Sequence, residues 1–236
     1  IDNLFENVVI PKDKSVTLDL NGKTLTNVDA DTIYVELGAT LVVKDTATGG
    51  TVDNITNGKA AVFNNGTVTL EGGSYTRSAE TGKNSSTSGG NSYYNILNHG
   101  VMTVKSGVTV QQTGHFSSLF VNGYFGYTAI AKGERTAYIA GTNQAKPVLT
   151  INGGTFSGGI NTRKTDDGAE TTITGGTFSN VTQAVVLNAN KTTITGGTFT
   201  SEQSVIRNGA DDSQYINGEL TITGGTFTCG ENYYVI

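Results

Sequence analysis

Leu149–Ser157 reads LTINGGTFS, and three near copies follow it: TTITGGTFS at Thr171–Ser179, TTITGGTFT at Thr192–Thr200 and LTITGGTFT at Leu220–Thr228. Their corner pairs open at Gly153, Gly175, Gly196 and Gly224, a period of 21 to 28 residues. Self-similarity on that scale marks a solenoid, in which each repeat buries its apolar face only against its neighbours. Within one copy the side chains alternate. Thr171 and Ile173 face one way while Thr172 and Thr174 face the other, as in a strand. Gly175-Gly176 then supplies a bend without a side-chain penalty, and an aromatic, Phe178, follows it. No window carries helical apolar spacing. The chain reads as all-β.

Looser copies extend the repeat upstream: Val68–Thr76 with Tyr75 in the aromatic slot, Met102–Val110, Leu41–Val52 and an opening Val16–Thr26. About eight coils at the ~4.8 Å strand spacing predict a rod of about 35–40 Å. A second strand precedes each block and tends to end in asparagine, at Asn64, Asn98, Asn122, Asn188 and Asn208. Asn161 is expected in the same slot of the sixth coil. Asparagines stacked at one corner of successive coils would bond to the neighbouring turn, so a structural ladder is expected here rather than a ligand site.

Stacked short strands, an asparagine ladder, an aromatic stack and the opening LDLNGKTL segment resemble right-handed parallel β-helix proteins of the pectin-lyase-like type. The ITGGTF wording is similar to repeats in surface proteins of Gram-positive bacteria. That resemblance implies an extracellular, cell-surface setting, but the fold hosts lyases, hydrolases, tailspikes and adhesins alike. Glycine is 32 of 236 residues, against a usual ~7%, while proline is 2 and tryptophan absent. The repeats run to the C-terminus without a linker, so 1–236 is expected to form one elongated domain. A net charge of −5 without a basic stripe argues against nucleic acid, and no apolar run approaches the ~20 residues of a membrane span. Cys229 is alone, which rules out an intrachain disulfide and favours a small buried hydrophobe. The chain opens at Ile1, and its last residues, ENYYVI, read like the first strand of a further coil, so an excised piece of a longer protein is expected.

Function is sought where the repeat is interrupted. Gly123–Pro147 contains Tyr124, Phe125, Tyr127, Arg135 and Tyr138. Thr162–Glu170 contains Arg163, Lys164, Asp166 and Asp167, and Gly209–Glu219 contains Asp211, Asp212 and Tyr215. The seventh coil has only Ala189-Asn190-Lys191 at this point. All three insertions are expected to leave one corner, within about 15 Å of each other. Tyrosine and arginine bring large contact area with a hydrogen-bonding tip, as binding hot spots do. The aromatics could instead close a hole in the side of the rod. A fourth insertion, Arg77–Tyr93, has the Ser/Gly/Asn make-up of a mobile loop.

The resemblance also raises a lyase or hydrolase, which would use acidic calcium ligands beside a base or a pair of carboxylates. Asp166, Asp167, Asp211 and Asp212 lie in loops, however, and neither His99 nor His115 sits in the glycine-flanked pattern the hydrolases imply. Outward threonines, such as Thr150, Thr172, Thr193 and Thr221, raise an ice-binding face, interrupted upstream by Glu71 and Lys105. The reading favoured is a non-enzymatic binding module, without cofactor or metal, whose corner loops engage a host or neighbouring-cell protein (an immunoglobulin or mucin) or a glycan. A structural stalk is the remaining alternative.

Overall fold

A computed structural model describes residues 3–79, 94–112, 118–123, 146–158, 162–164, 169–180, 184–188, 191–211, 214–215 and 218–236, with the backbone alone at 162–164, 210–211 and 214–215. Every regular element among the described residues is a strand. They form a 15-stranded sheet, an 8-stranded sheet and one short hairpin. Apart from that hairpin every pairing is parallel, and each strand pairs with its counterpart in the next repeat. The arrangement is all-β, with parallel strands in stacked sheets, and is compatible with a β-helix. No helix among the described residues is long and apolar enough to cross a membrane.

The large sheet has two limbs joined at the glycine corner. Val148–Ile151, Glu170–Ile173, Lys191–Ile194 and Glu219–Ile222 make the downstream part of the first limb. Thr155–Ser157, Thr177–Asn180, Thr198–Ser201 and Thr226–Thr228 make that of the second. Upstream, Thr67–Thr76 and Val101–Gln111 each run through both limbs. The expected faces hold: Leu149, Ile151, Ile173 and Ile194 are buried, while Thr150, Thr172 and Thr193 are half-buried on the outer side.

Beneath the glycine corner lies the aromatic column. Phe156, Phe178, Phe199 and Phe227 stack with centroids 4.6, 4.6 and 4.9 Å apart. Gly176 has φ +113°, and a Cβ there would stand 3.1 Å from the rings of both Phe156 and Phe178. Glycine is therefore required twice over, by the backbone and by the ring under it. Upstream the column lapses, because Val110 stands in register between Tyr75 and Phe156. Phe120, from the small sheet, packs edge-on against Phe156 beside that step, with centroids 5.5 Å apart.

Candidate functional site: the asparagine corner

The small sheet ends, coil after coil, at one corner. Asn64, Asn98 and Asn122 are in register, as are Asn188 and Asn208. All but Asn208 are buried. Asn64 Nδ2 donates to Asn98 Oδ1 at 2.7 Å, Asn98 Nδ2 to Asn122 Oδ1 at 2.8 Å, and Asn188 Nδ2 to Asn208 Oδ1 at 2.7 Å. The same amides also reach the first-limb backbone, Asn98 Nδ2 donating to the Val148 carbonyl and Asn188 Nδ2 to that of Glu219. Each corner is thus tied to the coil that follows it, and its buried amides are satisfied.

Between Asn122 and Asn188 the ladder takes a detour. Asn161 lies outside the described residues, and the register places Lys164, not Asn161, opposite Asn122. The corresponding strand is Thr162–Lys164, which reaches three residues beyond the expected end. Among the described residues Asn122 therefore faces Lys164 rather than a further ladder asparagine. Its Nδ2 instead meets Thr171 Oγ1 at 3.1 Å and the Glu170 carbonyl at 2.8 Å, and Thr192 Oγ1 donates to Asn188 Oδ1 at 2.9 Å. The two inward threonines, which look like defects in an apolar stripe, each bond a ladder asparagine.

Of the candidate binding residues, Tyr124, Phe125, Tyr127, Arg135, Tyr138, Asp166, Asp167 and Asp212 lie outside the described residues. Arg163 and Lys164 belong to a small-sheet strand rather than to a loop, and Arg163 shares its register position with Val121 and Leu187. Asp211 and Tyr215 lie on the hairpin strands Ala210–Asp211 and Gln214–Tyr215, which pair antiparallel just past Asn208. The strand ends Asn122, Lys164 and Asn208 share one corner by register, and the chain between each end and the next first-limb strand differs in length.

Two features of this corner have no counterpart in the motif reading. Where the chain re-enters the large sheet, Glu170, Lys191 and Glu219 stand in register with alternating sign. Lys146 Nζ is 2.7 Å from Glu170 Oε1, both side chains well exposed, an ion pair that contributes little alone but helps define a charged rim. On the outer side of the small sheet, Tyr34, Phe63, Leu97 and Val121 form one apolar rank. Leu97 and Val121 are buried with Ala60 in a cluster separate from the main core. Phe63 packs edge-on against Tyr34 and His99, at 5.1 and 4.9 Å. Burial lowers the His99 imidazole to about 4, which keeps it uncharged near neutrality. A periodic alternation search could have found this rank, since a solvated strand face seldom repeats aromatic residues.

A second polar ladder lies at the opposite end of the second limb. Asn27, Asn54, Arg77 and Gln112 follow successive strands and are buried, and Asn180 pairs in register with Ser201, also buried. Asn27 Oδ1 accepts from the Ile55 N–H at 2.7 Å, and Asn54 Nδ2 donates to the carbonyls of Ala30 and Ala60, each at 2.9 Å. Changing residue identity hides this ladder from a letter-by-letter search. Among the described residues no group of three or more His, Cys, Asp or Glu could hold a metal ion. Cys229 is half-buried against the core, and its Sγ donates to the Tyr233 carbonyl at 3.3 Å. Comparison with family models, with curated proteins and with solved structures returns no match.

Proposed function

We propose that this chain is a right-handed parallel β-helix of about eight coils, from the surface of a Gram-positive bacterium, that binds a host or neighbouring-cell ligand through insertions at its asparagine corner. The observation that supports this reading is the shared register of Asn122, Lys164 and Asn208. The segments 123–147, 165–169 and 209–218 all depart from that corner, whereas Asn188 is followed almost at once by the strand Lys191–Ile194. A buried ladder below gives the segments a rigid base, which is what positions binding groups. The aromatic segment 123–147 supplies the anchors, while Lys164 and the charged row Lys146, Glu170, Lys191 and Glu219 form the polar rim. The ligand is a protein of mucosal secretions or a glycan.

The reading is tested by immobilising the chain and passing mucosal proteins and glycans over it at two salt concentrations. Lys164→Ala should weaken capture several-fold and flatten its salt dependence, as loss of a rim charge does. Retention of nothing specific would overturn the binding role. The lyase alternative is separated by incubating the chain with polyuronides and calcium: unsaturated products would establish an enzyme, and their absence is expected.

A further inference from the structure

The four downstream glycine corners share one geometry but not one chemistry. Their second glycines, Gly154, Gly176, Gly197 and Gly225, have φ of +116°, +113°, +108° and +110°. The residue before the pair is threonine at Thr174, Thr195 and Thr223, but asparagine at Asn152. Asparagine followed by glycine can cyclise: the glycine nitrogen attacks the side-chain carbonyl carbon, and a residue without a Cβ lets it approach. Of the four corners, only that of Asn152 carries the carboxamide this reaction needs.

The chain holds seven Asn-Gly pairs, and the fold treats them differently. After Asn21, the Gly22 N–H donates to Asp45 Oδ1 at 2.7 Å; after Asn65, the Gly66 N–H donates to Asn64 Oδ1 at 2.8 Å. On the ladder, the Gly123 N–H donates to the Asn98 carbonyl and the Gly209 N–H to that of Asn188, both at 2.9 Å. In these four pairs the attacking nitrogen is committed elsewhere, and its bond must break before it can turn on its neighbour. Asn217 lies outside the described residues. Asn57 stands in an exposed turn that the Lys59 N–H closes on the Thr56 carbonyl at 3.2 Å.

At Asn152 both reacting groups are prepared. The Gly153 N–H meets no acceptor among the described residues. Its position admits only glycine, since a Cβ would lie 2.9 Å from Ser106 Cα. Thr174 Oγ1, one coil on, donates to Asn152 Oδ1 at 2.9 Å, a closer acceptor than the Ile151 carbonyl at 3.5 Å. That donor sits on the oxygen where negative charge develops when the carbonyl carbon is attacked. We propose that Asn152 is a site of spontaneous deamidation. The Gly153 nitrogen gives its proton to hydroxide and bonds to Asn152 Cγ. The Cγ–Nδ2 bond breaks, and the amide nitrogen takes a proton from water and leaves as ammonia. Water then opens the resulting succinimide at either carbonyl, to aspartate or isoaspartate. The new carboxylate joins the row that holds the Asp19–Lys44 and Glu71–Lys105 ion pairs. Lys105 follows Val104 as Asn152 follows Ile151, and Val104 and Ile151 are in register. Isoaspartate also lengthens the main chain by a methylene at the bend above Phe156. The corner thus undergoes a one-way change of charge and length, and this site stands independently of the asparagine-corner reading.

The test holds the folded protein at mildly alkaline pH in heavy-oxygen water and follows every Asn-Gly pair over time by peptide mass spectrometry. The peptide spanning Asn152 should gain one heavy oxygen and show isoaspartate, about fivefold or more faster than the bonded pairs at Asn21, Asn65, Asn122 and Asn208. Thr174 is exposed, so its variants should fold. Thr174→Val should slow the reaction about threefold or more, while Thr174→Ser, which restores the hydroxyl, should keep the parent rate. In denaturant the ranking should vanish, because every glycine nitrogen is then released. The proposal is overturned if Asn152 in the folded parent converts no faster than the four bonded pairs, if Thr174→Val reacts as fast as Thr174→Ser, or if the same ranking persists in denaturant, where sequence alone would set it.

Discussion

The two corners of the coil turn the chain by opposite means. At the asparagine corner a polar side chain fills the turn and bonds to the coil that follows. At the glycine corner the side chain is missing, and a phenylalanine from the same repeat occupies the space beneath. The first kind leaves the chain beyond it free, because the amide has already satisfied the backbone groups at the turn. Large differences in length follow Asn122, Asn188 and Asn208. The second kind constrains both its residues and what lies under them, and its length is nearly fixed downstream. A surface meant to vary belongs on the first.

The contrast predicts a ranking of losses. Phe178→Ala should cost most, about 3–5 kcal/mol, because the ring is fully buried between two others and nothing can collapse into its place. Denaturant unfolding of the variant measures it; a loss under about 1 kcal/mol would mean the column is not a packed core.

Asn188→Ala should cost roughly 1–3 kcal/mol, by leaving Asn208 Oδ1, the Glu219 carbonyl and the Thr192 hydroxyl without their partner. Thr193→Ala, on the outer face of the same coil, should stay within about 0.5 kcal/mol. Equal losses for Asn188→Ala and Thr193→Ala would show that inner and outer faces have been confused.

A finer effect concerns the detour of the ladder. Asn122→Ala and Thr171→Val each remove one end of the 3.1 Å contact, so the double variant should lose less than the sum of the singles. A coupling of about 0.5 kcal/mol or more is expected from a double-mutant cycle. Simple additivity would mean that Thr171 is buried there without taking part in the ladder.

Much of the scaffold was legible because a solenoid repeats letters where it repeats environments. The ITGGTF copies gave strand, bend and column, and the recurrent asparagine marked the corner. Legibility failed where one environment accepts different residues. Asn27, Asn54, Arg77, Gln112, Asn180 and Ser201 are equivalent only in being polar and buried at the end of the second limb. Lys164 occupies a ladder position because strand pairing sets register, and Asn161, the expected occupant, stands three residues earlier. The inward Thr171 and Thr192 make sense only with their hydrogen bonds in view. For the proposed binding edge, sequence marked where the repeat is interrupted, and the register shows only that the strand ends Asn122, Lys164 and Asn208 are equivalent. The apolar rank of Tyr34, Phe63, Leu97 and Val121 was open to a reading of alternation, since each member stands one residue before its strand end.

The claim that scaffold and proposed binding edge are separable is tested most directly by replacing Gly123–Pro147 with a two-residue turn copied from Ala189-Asn190, because Val148 shares the register position of Lys191. The Asn122 end and the Val148 start are both set by their neighbours in the sheets, so the coil should keep its register. The variant is predicted to retain the β-type circular dichroism spectrum and a denaturation midpoint close to that of the parent, yet to lose capture of the ligand. Full-strength capture by the folded variant would contradict the account.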